Sequence, residues 1–278
     1  MSTGLLGLES VQERQGGVRE YISPSRLNCW LTCPLKWRLR YLDGIRTPTT
    51  PALFVGKACH AALEVYYRHR QLGVTLDADA VIQRTLESWA QLVDEEKMDF
   101  DSPESETAMR QQVAGLVRVY LDAVPKDERP LAVEVAAEAP LVDPDTGEDL
   151  GIPLLGVLDL VLESDAGPII TDFKTAARSS EPMEISHEIQ LTTYAWLHRQ
   201  ITGQQEGGLE IRSLIKTKQP KVELHPYAAR TDAHFRRLFA VIREYLDALD
   251  SGRFNYRPGF GCGMCDFRGT HCSRWCGR

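Results

Sequence analysis

The spacing of apolar residues predicts a helical first half of the chain and a mixed second half. Ser23-Pro24 is typical of a helix start, because a capping hydroxyl precedes proline at the first helical position. Helices are predicted at 24–32, onward to 41 after a break at Cys33-Pro34, and at 55–71, 77–95 and 104–123. Residues 47–51 are predicted to form a loop rich in proline and threonine.

After residue 130, alternating apolar and polar positions replace the helical spacing. Strands are predicted at 131–142, 152–163, 168–174, 209–217 and 222–227, and helices at 182–202 and 231–249. This order of elements indicates an α/β fold with a helical elaboration inserted early.

Two acids and a lysine fall on adjacent predicted strands. Asp172 and Lys174 are two residues apart on a strand, so their side chains share a face while Phe173 turns away. Asp159 lies at the end of the apolar run 152–162, which is predicted to be the preceding strand of a hairpin. Two carboxylates beside one ammonium suit a divalent cation and an anionic substrate. The alternative is a surface hairpin whose polar side chains face water.

Two helical pairs add candidate polar groups. His60 and Glu64 are four residues apart and share a helix face, and so do Gln190 and Tyr194. Imidazole nitrogen is a good ligand for Mn²⁺ and a tolerable one for Mg²⁺. Taken singly, each pair is equally compatible with a structural role.

The composition of the sequence limits where in the cell the protein is expected to act. No apolar run approaches the roughly 20 residues that cross a bilayer. Residues 1–20 lack a secretory signal pattern and are expected to be a polar, partly disordered lead-in. We therefore expect a cytoplasmic protein without membrane association, in which the seven cysteines do not form a disulfide framework.

Charge is segregated along the chain. The net charge is −7, yet residues 21–57 carry six basic residues against one acid, and residues 253–278 carry five arginines against one acid. If these segments meet in space, they form a basic face on an acidic body, which suits a phosphate backbone. Otherwise they are two separate solvated surfaces.

Four ordered motifs resemble one nuclease family. They are Gly56…His60, Gly156…Asp159, Asp172-Phe173-Lys174 and Gln190…Tyr194. Together with the opening Ser23…Cys33-Pro34, they resemble the RecB-type branch of the PD-(D/E)xK nucleases, including the AddB nuclease domain, CRISPR-adaptation nucleases and exonuclease V. The resemblance spans residues 21–276 and implies a restriction-endonuclease-like core, a central mixed sheet flanked by helices.

The resemblance also implies an organisation and site roles. Residues 21–278 would form one nuclease domain, with a helical elaboration at 55–125, a catalytic core at 130–250 and a tail at 253–278 that pairs with 23–41. The implied metal ligands are His60, Asp159, Asp172 and the Phe173 carbonyl. Lys174 would orient the attacking water and offset charge, with Gln190 and Tyr194 supporting the site. Glu134 is a weaker candidate for a supporting residue.

The cysteines suggest a second metal centre. In the resembled family, an upstream cysteine and three tail cysteines hold a [4Fe–4S] cluster, here Cys33, Cys262, Cys265 and Cys272. This chain has six residues between the last two tail positions, where the family usually has five, and it adds Cys276. A zinc site of Cys262, Cys265, Cys272 and Cys276 is therefore an alternative, and so are free thiols. Cys29 could replace Cys33.

The expected function is a metal-dependent DNA exonuclease acting on single strands or duplex ends with Mg²⁺ or Mn²⁺, in recombination, repair or phage- and CRISPR-related processing. Candidate DNA-binding residues are Arg26, Arg38, Arg40 and Arg257. The sequence has no Gly-x-x-x-x-Gly-Lys motif, so unwinding would come from a helicase or recombination partner. Alternatives are a DNA-end-binding subunit of a larger complex and a structure-specific endonuclease.

Overall fold

Helices fill the first half of the chain and strands begin at Pro130. The structure is a computed structural model that describes residues 17–179 and 184–275. Helices are α1 (Pro24–Thr32), α2 (Pro34–Trp37), a π-helix (Arg38–Leu42), α3 (Pro51–Gln71), α4 (Ala78–Glu87), α5 (Trp89–Glu96), α6 (Pro103–Ala123), α7 (Glu184–Thr202) and α8 (Asp232–Asp250). Strands are β1 (Pro130–Ala139), β2 (Leu154–Leu162), β3 (Ile169–Ala176), β4 (Gly208–Ile215) and β5 (Lys221–Ala228).

The strands form one mixed sheet in the order β1-β2-β3-β4-β5. The pairs β1–β2, β2–β3 and β4–β5 are antiparallel, and β3–β4 is parallel. The parallel pair requires a crossover, which α7 supplies. The predicted mixed sheet flanked by helices is confirmed.

The two faces of the sheet bury two apolar clusters. One joins Leu158, Ile170 and Ile211 to residues of α1, α7 and α8. The other joins Leu160 and Phe173 to residues of α3, α4 and α6. The early helical elaboration therefore covers one face of the sheet, while the later helices and α1 cover the other.

Two predicted helices differ from the structure. α3 begins at Pro51, because Thr50 caps it by accepting a hydrogen bond from the Leu53 amide at 3.3 Å; the predicted loop at 47–51 thus ends as a helix start. The single helix predicted at 77–95 is broken at Ser88, where α4 ends and α5 begins.

Two motif glycines let helices approach the sheet. A Cβ on Gly56 of α3 would lie 3.2 Å from Thr175 Oγ1 of β3, and one on Gly156 of β2 would lie 2.7 Å from Leu197 of α7. Each glycine thus permits a close helix–strand contact that a larger residue would push apart. These contacts position His60 and Gln190 against the strands that carry the acids.

In the described ranges, no helix combines the length and the apolar character needed to cross a membrane.

Candidate active site

The site lies where the β2–β3 ladder ends. The two strands pair only from Leu160↔Thr171 to Leu162↔Ile169. Just beyond the last pair, the Phe173 amide donates to Asp159 Oδ2 at 2.9 Å. The carboxylate thereby replaces a strand carbonyl as acceptor, which fixes Asp159 against β3. Asp159 lies inside β2, which continues to Leu162, within the predicted strand 152–163.

His60 reaches the same point from α3. Its Nε2 is 3.0 Å from the Phe173 carbonyl oxygen, and its ring meets the Phe173 ring edge-on at 5.7 Å. On the other side, His60 Nδ1 lies 3.6 Å from Asp159 Oδ2 and 3.8 Å from Glu134 Oε1. Glu64, its predicted helical companion, instead pairs with Arg68 at 2.7 Å.

Glu134 completes a cluster of three donors. It is one of two non-glycine residues with positive φ in the described chain, at 46°, a conformation that costs energy. Ligand atoms of His60, Glu134 and Asp159 all lie within 4.8 Å of one another. Two carboxylates and one imidazole match the ligand preference of Mn²⁺ and are compatible with Mg²⁺, so these residues fit a divalent cation.

Asp172 forms the second half of the site with Lys174. Asp172 is almost fully buried at 1% exposure, and Lys174 Nζ lies 2.5 Å from its Oδ2. That buried oxygen has no well-directed hydrogen bond among the described residues, so it retains acceptor capacity. Gln190 Nε2 donates to Asp172 Oδ1 at 2.9 Å and to the Tyr194 hydroxyl at 2.8 Å.

The carboxylates and the imidazole shift one another's pKa values. Burial, reinforced by the Asp172 charge, raises the pKa of Asp159 to about 7. Burial alone would lower the pKa of His60, but the neighbouring carboxylates, Glu134 first, raise it to about 9. Burial and the nearby Asp159 hold the pKa of Tyr194 well above its usual value. These shifts report negative charge crowded in little water, which a bound cation relieves.

Sequence reasoning missed His187. It lies one turn before Gln190 on α7, where burial and the Lys174 charge lower its pKa. Its spacing from Gln190 was the available signal, because residues three apart share a helix face.

The C-terminal tail packs on the segment that follows α1. The Leu35 amide donates to the Asn255 carbonyl at 3.3 Å, and the Arg257 amide donates to Cys33 Sγ at 3.4 Å. A cavity of about 250 Å³ lies between them, and its lining includes Cys33, Cys262, Cys265 and Cys272. Cys29 is not part of that lining, and burial raises its pKa to about 11. Cys276 and residues 1–16 lie outside the described chain.

The predicted DNA-binding arginines divide into two groups. Arg40 and Arg257 are exposed and Arg38 is half-buried, on the two basic segments that the tail contact brings together. Arg26 is only 4% exposed and lies beside the active site. The structure therefore puts three of the four on the surface.

Comparison with known proteins identifies the family. A sequence model of the PD-(D/E)XK nuclease superfamily matches residues 21–272, and the chain belongs to this superfamily. No curated protein sequence matches the chain significantly.

Two solved structures resemble this one. A protein from Eubacterium rectale whose exonuclease activity is provisionally assigned superposes with a TM-score of 0.60 at 16% identity, over 96% of this chain and 94% of that chain. The identity is low, so this likeness shows the fold alone. The structure of SSO0001 aligns with a TM-score of 0.38 at 13% identity, over 87% of this chain and 96% of that chain.

Proposed function

We propose that this nuclease is a divalent-metal-dependent DNA exonuclease that hydrolyses phosphodiester bonds of single strands or duplex ends. The observation that carries the proposal is the convergence of His60, Glu134 and Asp159 beside the Asp172–Lys174 pair. The exonuclease choice follows the resemblance of the four ordered motifs to the RecB-type branch.

The residues divide the work by chemistry. His60, Glu134 and Asp159 would hold the cation, with Asp172 and the Phe173 carbonyl as further ligands. When bound, a divalent cation supplies charge stabilisation at the phosphoryl oxygens and activates water. Lys174 would offset negative charge that builds on the phosphate and orient the attacking water. Gln190 keeps Asp172 in place through its hydrogen bond, and Tyr194 anchors Gln190.

A [4Fe–4S] cluster on Cys33, Cys262, Cys265 and Cys272 is part of the proposal. These thiols line one cavity, which gives them a common centre. A tetrahedral zinc site would hold its sulfurs about 3.8 Å apart, given Zn–S bonds of about 2.3 Å. Among the described cysteines, no three sulfur atoms lie within 4.8 Å of one another. The alternative zinc site at Cys262, Cys265, Cys272 and Cys276 includes a residue outside the described chain, so metal analysis has to separate the two sites.

DNA is the proposed substrate. The two basic segments, residues 21–57 and 253–278, are the surface on which we propose that the strand binds. Arg38, Arg40 and Arg257 would contact phosphates as the strand approaches the acids. A helicase or recombination partner would supply strand separation, in keeping with a role in DNA recombination or repair.

The test is digestion of end-labelled single-stranded and duplex DNA with Mg²⁺ or Mn²⁺, comparing wild type with Asp172→Asn. Asparagine keeps an acceptor for Gln190 but removes the charge, so the rate should fall on the order of 10²–10³-fold or more. Asp165→Asn, in an exposed turn, is the matched control and should retain activity. Cleavage that survives Asp172→Asn or excess chelator would refute the proposal.

A further inference from the structure

A cleft beside the candidate active site holds a buried cation that the catalytic scheme does not use. The cleft has a volume of about 250 Å³ and lies between the start of α1 and β2. The lining of the cleft combines residues of the candidate active site with residues around the start of α1. Among them are Asp159, Gln190, Tyr194, Tyr21, Arg26 and Tyr41. A group bound in this cleft would therefore lie next to the catalytic acids.

Arg26 is buried beside this cleft. Its NH1 donates to the Tyr21 carbonyl at 2.7 Å and to the Val18 carbonyl at 3.4 Å, and the guanidinium carbon lies 3.7 Å from the centre of the Tyr21 ring. Its Nε is buried without a partner in the described chain. No carboxylate of the described residues forms an ion pair with Arg26, although the side chain is only 4% exposed. A buried guanidinium in this state is costly unless an anion joins it.

The start of α1 reinforces the preference for an anion. Ser23 caps the helix and the first turn contains no acid, so no carboxylate of the helix itself offsets the positive end of its dipole. Ser25 is exposed on the cleft wall, with its hydroxyl 3.0 Å from Ser23 Oγ. The positive end of the helix dipole thus adds to the Arg26 charge.

We propose that this cleft binds one phosphodiester of the DNA strand next to the phosphate that is hydrolysed. Arg26 supplies the positive charge, and Ser25 with the start of α1 supplies the polar wall. The inference rests on the proposed nuclease function, because the strand at the acids is what brings a second phosphate within reach. Arg26 is thus a substrate-positioning residue beside the reacting centre rather than part of the outer basic surface.

A scan with neutral linkages tests the proposal. A set of single-stranded oligonucleotides, each with one methylphosphonate at a different position, is titrated in Ca²⁺ by fluorescence anisotropy. Wild type should lose about tenfold in affinity at the position whose charge meets Arg26. Ser25→Asp adds a negative charge to the cleft wall at an exposed helix start, where an acid is well tolerated. This variant should bind the native strand about tenfold more weakly and lose the sensitivity at that position.

Ala233→Asp is the matched control, because it adds the same charge at the same position of α8, near the opposite end of α7 from Gln190. It should bind and discriminate like wild type. A second variant, Arg26→Lys, should weaken the same position, and its thermal unfolding reports whether the fold is intact. Three results would overturn the proposal. The first is equal affinity of Ser25→Asp and Ala233→Asp for the native strand, and the second is a methylphosphonate scan that Ser25→Asp alters at no position. The third is the absence of DNA binding by wild type. Cleavage by wild type with a flat scan would refute the cleft alone, whereas a positive scan without cleavage would refute only the nuclease proposal.

Discussion

Glu134 faces Asp159 across the β1–β2 ladder, between the paired residues Val133↔Leu160 and Val135↔Leu158. Both carboxylates approach the same nitrogen, His60 Nδ1, at 3.8 Å and 3.6 Å respectively. Like charges directly opposite each other on a sheet destabilise it. A cation between them converts that repulsion into attraction, so the pairing of these acids is itself an argument for a metal site.

Glu134→Gln should weaken Mn²⁺ binding about 10- to 100-fold, because it removes one of the charges that hold the cation while preserving size. Isothermal titration calorimetry measures the affinity directly. Glu138→Gln, an exposed position on the same strand, should bind Mn²⁺ like wild type. Equal affinities for both variants would exclude Glu134 from the site.

Metal affinity should rise with pH. His60 has a pKa of about 9 and Asp159 of about 7 without metal, and a cation requires both to be deprotonated. For each proton that the cation displaces, the affinity for the cation rises by up to about tenfold per pH unit. Titrations of Mn²⁺ between pH 6 and 9 should show this slope, and His60→Gln should flatten it above pH 7.

Titration of His60 and Asp159 also makes the stability of the metal-free protein depend on pH. Both pKa values are raised by folding, so the folded state binds more protons and its stability falls as pH rises. Asp159 contributes this loss between its ordinary value of 3.8 and about 7, and His60 between 6.5 and about 9. Thermal unfolding in chelator should show a lower midpoint at pH 9 than at pH 6.5. A rise of that midpoint would contradict the charge crowding inferred for the site.

Cys33→Ser should remove iron and sulfide from anaerobically purified protein and make the tail sensitive to protease, because thiolate ligation couples cluster binding to folding. Cys29→Ser is the matched control, one turn earlier on α1 and outside the cavity lining. It should retain iron, and so should Cys276→Ser. A colourless zinc protein damaged by Cys276→Ser but not by Cys33→Ser would favour the alternative site.

A buried network of hydrogen bonds lies next to Phe173 of β3. Arg212 donates to Glu128 Oε1 at 2.7 Å and to the Tyr67 and Tyr120 hydroxyls at 3.0 Å each. Both tyrosine rings contact Phe173, whose backbone carries the contacts of Asp159 and His60. Glu128→Gln should destabilise the fold by about 1–3 kcal/mol, because the buried guanidinium then keeps, among the described residues, only Glu210, 2.6 Å from its Nε, as a charged partner.

Urea unfolding measures this loss, and Glu163→Gln is its control. Glu163 pairs with Arg129 on the surface, at 3.3 Å, where an ion pair contributes about 0–1 kcal/mol. Similar losses in both variants would show that the buried pair has no special weight.

DNA affinity should fall steeply with salt, since counterion release dominates binding to a phosphate backbone. Arg40→Glu and Arg257→Glu should each lower the slope of log affinity against log salt, whereas Arg129→Glu should not. A flat slope in wild type would leave the two basic segments as ordinary solvated surface.

The sequence predicted the order of helices and strands along the chain, the α/β class and the ordered motifs, because these depend on local periodicity and on residues close together in the chain. The motifs also named Asp172, Lys174, Gln190 and Tyr194 as site residues, and the structure links them in a chain of contacts that runs in the order Lys174, Asp172, Gln190, Tyr194. The break at Ser88 was not predicted, because the apolar spacing continues across it.

What the sequence alone determined is the set of chemical groups: acids, a lysine and a histidine on elements of known type, and cysteines at both ends. Only the tertiary structure decided which groups meet. Glu134 joins His60 because its backbone is left-handed and strand register brings it opposite Asp159. Arg26, predicted as one of four DNA-binding arginines, is buried because Tyr21 and Tyr41 pack against its guanidinium. The spacing of apolar residues within one element does not specify these contacts, because they join residues far apart in the chain.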